Sequence, residues 1–306
     1  MFKLVHISDL HYAPLPPVSW MQLCNKRLIG YINWQKHRKN SMATGCYEAL
    51  IRHMRRQEFQ HLAISGDLVN LALPQEFLRA RERIAALGAA ENVSLTFGNH
   101  DAYVPGALKQ ACAVFAPWIK GDAAVQGGGT HAFPYMRVRG EMAFIGVSSA
   151  IATPPFCAAG YFSARQAKNL AAMLRQARAA GLFRVVMIHH PPLYHATYWQ
   201  KKLWGIKRFQ NAVASEGAEL VLHGHTHLPT LSFIPSRADE ANPEGKAAVV
   251  GVPAAGQSFG DRKPPAGYNL LSFEKKAGIW HCELKRFAVT NAQNYIRCVE
   301  QRVLLG

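Results

Sequence analysis

The sequence predicts an α/β fold in which a largely parallel layer of strands is extended by antiparallel ones. Three observations predict it. Short apolar runs rich in β-branched residues recur, and each ends abruptly in polar residues. Helix-like stretches with start and stop signals separate the earlier runs. The later runs follow one another with no helix between them. Alternating strands and helices imply βαβ units, whereas strands in direct succession imply antiparallel pairing.

The elements follow in order. "FKLVHIS" (2–8) is a strand ending at Asp9. "HLAIS" (61–65) leads into Gly66-Asp67, and "VSLTF" (93–97) into Gly98-Asn99. "FRVVMI" (183–188) leads to His189, and "AELVL" (218–222) to His223. Runs this short and this rich in Val, Ile and Leu are expected of buried strands. Between them lie helices at 44–57, 73–87 and 163–181. The second has Pro74 near its start and Gly88 after its end; the third opens on Ser163 and closes on Gly181. Pro at a helix start and Gly beyond its end are the usual punctuation. "AAVVGV" (247–252), "YNLLSF" (268–273) and "IWHCELKRF" (279–287) are the later strands. "SRADEANPEG" (236–245) is expected to be a turn and "QGGGT" (126–130) a flexible loop.

Bulk properties narrow the function classes. With 306 residues, 49% of them apolar, the chain can bury a sizeable core, and global disorder is excluded. No apolar run reaches the ~18–20 residues needed to span a bilayer. "MFKLVHISDLH" has Asp9 and histidines where a signal peptide needs apolar residues, so a cytoplasmic chain is expected. The six cysteines are scattered without a CxxC pair, which fits reduced thiols. A net charge of +16 calls for an anionic partner. That charge is concentrated: neither 10–47 nor 183–215 contains an acid.

The strand ends carry the chemistry. They deliver Asp9 and His11, then Asp67 and Asn70, then Asn99, His100 and Asp101, then His189 and His190. The last is "HGHTH", with His223, His225 and His227. In α/β sheets the C-terminal strand ends share one edge, and ligand sites form there. Carboxylate, amide oxygen and imidazole without thiolate suit Mn, Fe, Zn or Mg. The donors are too many for one ion and enough for two. If the strand continued through 223–227, alternation would aim His225 and His227 to one face.

These residues resemble the ordered signature of the calcineurin-like metallophosphoesterase superfamily: DxH, GDxxN, GNH(D/E), a later His, and GHxH. They stand here as Asp9-Leu10-His11, Gly66-Asp67-Leu68-Val69-Asn70, Gly98-Asn99-His100-Asp101, His189-His190 and Gly224-His225-Thr226-His227. The resemblance spans residues 1 to about 290 and implies a four-layer α/β/β/α sandwich. It further implies two divalent metal ions, with Mn favoured. Asp9, His11, Asp67 and His227 would hold one ion; Asp67, Asn99, His189 and His225 would hold the other. Asp67 would bridge the pair, with His189 preferred to His190 as ligand. Two ions ~3.5–4 Å apart clamp a phosphate and lower the pKa of a bridging water, whose hydroxide would attack phosphorus. His100 would protonate the leaving oxygen, and Asp101 would orient His100. Asn70, His190 and His223 would support the ligands from behind.

The two acid-free segments bear on substrate. "VSWMQLCNKRLIGYINWQKHRKN" (18–40) places Trp20, Leu28 and Tyr31 near helical spacing, with Arg27 among them. "LYHATYWQKKLWGIKRF" (193–209) offers Tyr198, Lys201, Lys202 and Trp204, together with Leu203 and Phe209. With the insert taken as 13–42 and the second segment as 193–210, both read as amphipathic helices capping one metallophosphoesterase domain (1–290). Residues 291–306 are expected to be a tail packing on it. Basic helices with Trp and Leu on one side have the composition of membrane-surface elements. The expected substrate is therefore an amphiphilic phosphorylated small molecule or lipid-linked nucleotide, met at the inner face of an anionic membrane. The chain resembles the bacterial UDP-diacylglucosamine hydrolases of this superfamily, which also cap the site with an inserted helical element, and that resemblance implies UDP-diacylglucosamine as the example. The alternative is a soluble 3',5'-cyclic nucleotide phosphodiesterase, which shares every motif. A nuclease ranks below both, since no separate nucleic-acid-binding module is present. A scaffold without activity is disfavoured because every ligand position is filled.

Overall fold

The computed structural model describes residues 1–42, 44–122, 132–239, 242–276 and 278–306. In chain order, β1 (Phe2–Ile7) is followed by an insert of short helices. These are α1 (Trp20–Leu23), α2 (Arg27–Asn33), a π-helical stretch (Trp34–Arg38) and α3 (Lys39–Ser41). Next come α4 (Thr44–Arg55), β2 (His61–Ile64), α5 (Pro74–Ala85), β3 (Val93–Leu95), α6 (Ala107–Val114) and α7 (Ala116–Ile119). The middle of the chain forms β4 (Tyr135–Arg139), β5 (Met142–Gly146), β6 (Gly160–Tyr161), α8 (Ala164–Ala179), β7 (Phe183–Met187), β8 (Leu203–Trp204) and α9 (Ile206–Glu216). It ends with β9 (Leu220–His223), β10 (Leu231–Pro235), β11 (Lys246–Gly251), β12 (Gly267–Lys276), β13 (Ile279–Val289) and β14 (Ile296–Leu305).

Two six-stranded sheets result, ordered β14-β13-β12-β1-β2-β3 and β10-β11-β9-β7-β5-β4. In the first, the parallel run β1-β2-β3 reaches one edge and antiparallel β12, β13 and β14 extend the other side; in the second, the parallel run β11-β9-β7-β5 is central and antiparallel β10 and β4 flank it. The sheets pack face to face through Leu4, Ala63, Leu271 and Phe273 on one side and Phe144, Phe183, Val185 and Leu222 on the other. Helices α4 and α5 bury Leu50, Met54, Phe77 and Ile84 on the outer face of the first sheet. Helices α8 and α9 bury Leu170, Leu174, Phe209 and Val213 on the second. Each such side chain contributes about 1.5–3 kcal/mol of burial. The architecture is the expected α/β/β/α sandwich.

Register positions the site. Ile7 pairs with Ile64 and Ile64 with Leu95, so β1, β2 and β3 end level with one another. Met187 pairs with Leu222 in the facing sheet. All five motif-bearing loops therefore leave from one end of the sandwich.

Several elements depart from expectation. The hairpin β4–β5 was not read from the sequence. Its first strand carries Arg137, which is buried yet donates to the carbonyls of Ala90, Val93, Pro117 and Lys120. Residues 296–305, expected as a tail, form the ten-residue edge strand β14 against β13. The second acid-free segment is not a helix before residue 206: it makes a single 3-10 turn at Trp199–Lys201, then β8, which pairs with β6. Leu203 and Phe209 face the core and do not join a cap. The turn expected at 236–245 joins β10 to β11, with Asp239 bridged to Asn242. The stretch 126–130 lies outside the described residues.

Candidate dinuclear metal centre

The loops after β1, β2, β3, β7 and β9 bring their polar side chains into one buried cluster. Donor atoms of Asp9, His11 and His227 lie within 4.8 Å of one another, as do those of Asp9, Asp67 and His189. Asp67 Oδ2 is the common point, 3.7 Å from His11 Nε2 and 3.3 Å from His189 Nε2. Asp9 Oδ1 lies 3.1 Å from His227 Nε2 and 3.9 Å from His11 Nε2. One carboxylate thus stands between two histidine groups, the arrangement a shared ligand requires.

Backbone groups hold five of the donors by their far sides. Asp9 Oδ2 accepts from the His225 N–H at 3.0 Å, and Asp67 Oδ1 from the His100 N–H at 2.7 Å. His11 Nδ1–H donates to the Val69 carbonyl at 3.0 Å and His189 Nδ1–H to that of Ser65 at 2.8 Å. Fixing Nδ1–H this way leaves the Nε2 lone pair as the ligating position. His225 is the reverse case: its Nε2–H donates to the Lys201 carbonyl at 3.0 Å, so its lone pair is on Nδ1. Asn99 Oδ1 is buried and has no hydrogen bond among the described residues. Orphaned buried acceptors are rare in folded proteins, and a bound cation accounts for one here. The donor set fits a pair of divalent ions.

Electrostatics agree. Burial works against the charge on Asp9, yet His227 and then His189 hold its carboxyl well below the usual range. Burial likewise opposes Asp67, and His189, His100 and His11 draw it down. Burial disfavours a charged His189, but Asp67 outweighs it and pushes the imidazole up to about 9. The cluster holds negative charge that calls for a cation.

The backbone here is strained. Asp9, His11, Asp67, His225 and His227 all have positive φ, from 39° to 67°. This corrects the strand argument for the last two. β9 ends at His223, and left-handed turns, not strand alternation, bring His225 and His227 to the cluster. Two glycines make room. A Cβ on Gly98 would collide with the Asp67 carboxylate, and one on Gly224 with Ser8 Oγ.

The supporting residues fall out as follows. His190 donates from Nε2 to the Ala158 carbonyl at 3.0 Å and accepts at Nδ1 from Ser149 Oγ at 2.7 Å, so it has no lone pair for a metal. His223 is engaged with the Gly224 carbonyl and Thr230 Oγ1. Asn70 ties its loop to the first by donating from Nδ2 to the Tyr12 carbonyl at 3.2 Å. Its own carbonyl accepts from His100 Nδ1–H at 2.6 Å. The expectation that Asp101 orients His100 is therefore corrected. The Asp101 carboxylate accepts from the backbone N–H groups of Asp67, Leu68 and Gly98 at 2.8–2.9 Å, clamping two ligand loops together. Burial, with Asp67 nearby, pushes that carboxyl up to about 8. His100 is instead oriented by Asn70 and stacks on Tyr103, ring centroids 5.4 Å apart.

Sequence reasoning missed Glu76. Buried at the start of α5, it accepts from the N–H groups of Asn70, Leu71 and Leu73 at 2.8–3.0 Å and so braces the Asp67 loop. Its signal was present, since an acidic residue at the third helical position, after Pro74, is a capping pattern.

The acid-free segments rim the cluster. Arg27 donates to the carbonyls of Leu71 at 2.9 Å and Ala72 at 2.7 Å, anchoring the insert beside the Asp67 loop. Lys26 Nζ reaches Thr153 Oγ1 at 2.8 Å and lies 4.7 Å from the centroid of the Tyr103 ring. Tyr31 packs on the core while Trp20 and Leu28 face solvent, Trp20 at 74% exposure. Across the rim Tyr198 is 84% exposed, Trp204 is half exposed, and Lys202 lies 4.7 Å over the Trp204 ring. Lys201 joins rim to centre through its carbonyl contact with His225.

Comparison with known proteins bears on this centre. The family model described as calcineurin-like phosphoesterase matches residues 2–229. No curated protein sequence matches the chain. Among solved structures, a dimetal phosphatase from Danio rerio is similar, at 13% identity and a TM-score of 0.57, covering 99% of this chain and 98% of that one. A purple acid phosphatase from yellow lupin (Lupinus luteus) is also similar, at 13% identity and a TM-score of 0.59. That match covers 99% of this chain and 53% of that one. At these identities the likeness is one of fold.

Proposed function

The chain belongs to the calcineurin-like phosphoesterase family and is a metal-dependent phosphoester hydrolase; from this premise we propose that it cleaves a phosphodiester or pyrophosphate bond in an amphiphilic substrate such as UDP-diacylglucosamine, at an anionic membrane surface. The Asp67-centred donor set would hold two divalent ions, which when bound would activate a water and neutralise phosphate charge. The chain's own groups do the rest. Asn70 fixes His100 through Nδ1, so Nε2 is the nitrogen that carries a proton to the leaving oxygen. A ring nitrogen of His100 lies within 4.8 Å of the donor atoms of His11 and Asp67, close enough to serve a phosphate bound there.

The observation that carries the substrate reading is the insert. It is anchored to the site by Arg27 and Lys26, yet turns Trp20, Met21, Leu28 and Ile32 outward. Apolar side chains exposed together beside cations favour contact with a lipid interface. No helix among the described residues is long and apolar enough to cross a membrane, so such contact would be at the surface. The test is turnover, with Mn present, of an acylated nucleotide-sugar against cyclic AMP. The acylated substrate should be hydrolysed faster; a preference for cyclic AMP would transfer the assignment to the soluble cyclic-nucleotide reading.

A further inference from the structure

A second concavity lies behind the 199–204 rim. It is a groove of about 740 Å³, walled by residues 193–197, by the β6–β8 pair and by the first turn of α9. That volume is in the range of small-molecule sites. Four exposed aromatic rings, Tyr161, Tyr194, Trp199 and Trp204, and three cations, Lys202, Lys207 and Arg208, line it. The chain from 183 to 215 contains no acid, and among the described residues none of these cations makes an ion pair. Two of them lie against rings: Lys202 over Trp204 at 4.7 Å and Arg208 over Tyr161 at 6.0 Å. The groove thus sets cations beside aromatic faces twice over. The first turn of α9 has no acidic residue, and the positive end of its dipole adds to the field.

We propose that this groove is a nucleoside-phosphate subsite, in which a ligand's flat base stacks on the Trp199/Trp204 wall and its phosphate meets Lys202, Lys207 and Arg208. An inorganic anion would leave the aromatic walls unused, and a headgroup without a ring would do the same. The groove neighbours the metal centre along the sequence. Lys202 follows Lys201, whose carbonyl holds His225, and the opposite wall begins four residues after His189. The role in turnover rests on the nucleotide-linked substrate proposed above; the binding itself does not.

The experiment is equilibrium dialysis of radiolabelled UMP against the intact protein, with Mn and again with EDTA. UMP should bind in both. Uridine and inorganic phosphate should each bind at least about tenfold more weakly, since each keeps only half of the contacts. Trp204→Ala and the double variant Lys207→Ala/Arg208→Ala should each weaken UMP binding about tenfold or more in EDTA, while Trp204→Phe retains most of it. These side chains are exposed, and unchanged thermal unfolding checks that the variants fold. The proposal is overturned if EDTA abolishes UMP binding, if the variants leave it unchanged, or if phosphate alone binds as tightly. Groove-dependent UMP binding without turnover of an acylated nucleotide-sugar would sink the amphiphile reading and leave the groove standing. Turnover without groove-dependent binding would do the opposite.

Discussion

Asp67 concentrates the chemistry of this protein in one side chain. One oxygen is held by the His100 N–H, and the other stands between His11 and His189. Its backbone is left-handed, as is that of Asp9, His11, His225 and His227. Non-glycine residues pay of order 1–3 kcal/mol for such conformations and keep them where the surroundings over-determine them. Five of these in one cluster mark a site built against local preference. Asp67→Asn keeps the size and the N–H contact but removes the charge that two cations would share. Losing a mere supporting partner of a ligand costs about 10–100-fold in affinity or activity. We therefore expect metal content, measured by atomic emission, to fall below two ions per chain and activity to fall by more than a hundredfold. Full metal stoichiometry in the variant would refute the bridging role. His100 is tested by leaving-group chemistry. General acids contribute about 10²–10⁴-fold when the leaving oxygen is basic. His100→Ala should thus be severe with a poor leaving group and mild with an activated aryl ester; equal losses would remove it from the acid role.

At the level of elements, the site is a set of loops leaving level strand ends, and two buried carboxylates brace those loops. Asp101 ties the Asp67 loop to the Asn99 loop, and Glu76 ties the Asp67 loop to α5. Glu76→Gln keeps one acceptor oxygen where three N–H groups now converge. A buried N–H left unpaired costs about 1–3 kcal/mol. The melting temperature should fall by several degrees, and metal affinity, by isothermal titration, should weaken while the fold persists. Unchanged affinity would mean that the loop holds its shape without Glu76. How much of this was legible follows from what local sequence encodes. The five motif strands could be read because each pairs a β-branched run with an abrupt polar end. The β4–β5 hairpin could not, because Arg137 interrupts its pattern and is satisfied by carbonyls from distant segments. The candidate donors were named from a resemblance carried by ordered motifs, but the geometry of His225 and His227 was not legible. Periodicity presumes an extended chain, and theirs turns left-handed after β9. Asp101 misled for a related reason: a carboxylate beside a histidine suggests a pair, while its actual partners are N–H groups brought in by tertiary structure.

Over the whole molecule, two acid-free stretches of the chain contribute residues to the rim of the metal centre. The net charge is +16, and each segment reaches a ligand loop, through Arg27 and through Lys201. Cations near an anionic leaflet contribute about 1 kcal/mol each. The screening length falls from about 8 Å at physiological ionic strength to about 3 Å at 1 M. Exposed Trp20 and Leu28 on the insert would add apolar insertion, which salt does not screen. The two contributions separate experimentally. The purified protein should co-sediment with phosphatidylglycerol-containing vesicles at low salt and bind zwitterionic vesicles far less. Raising salt toward 1 M should release part of the bound protein and leave a salt-resistant fraction. Trp20→Ser with Leu28→Gln should remove that resistant fraction while leaving the low-salt attraction largely intact, because neither change alters charge. If the double variant sediments like the parent at every salt concentration, the insert is not the membrane contact, and its outward apolar side chains need another explanation.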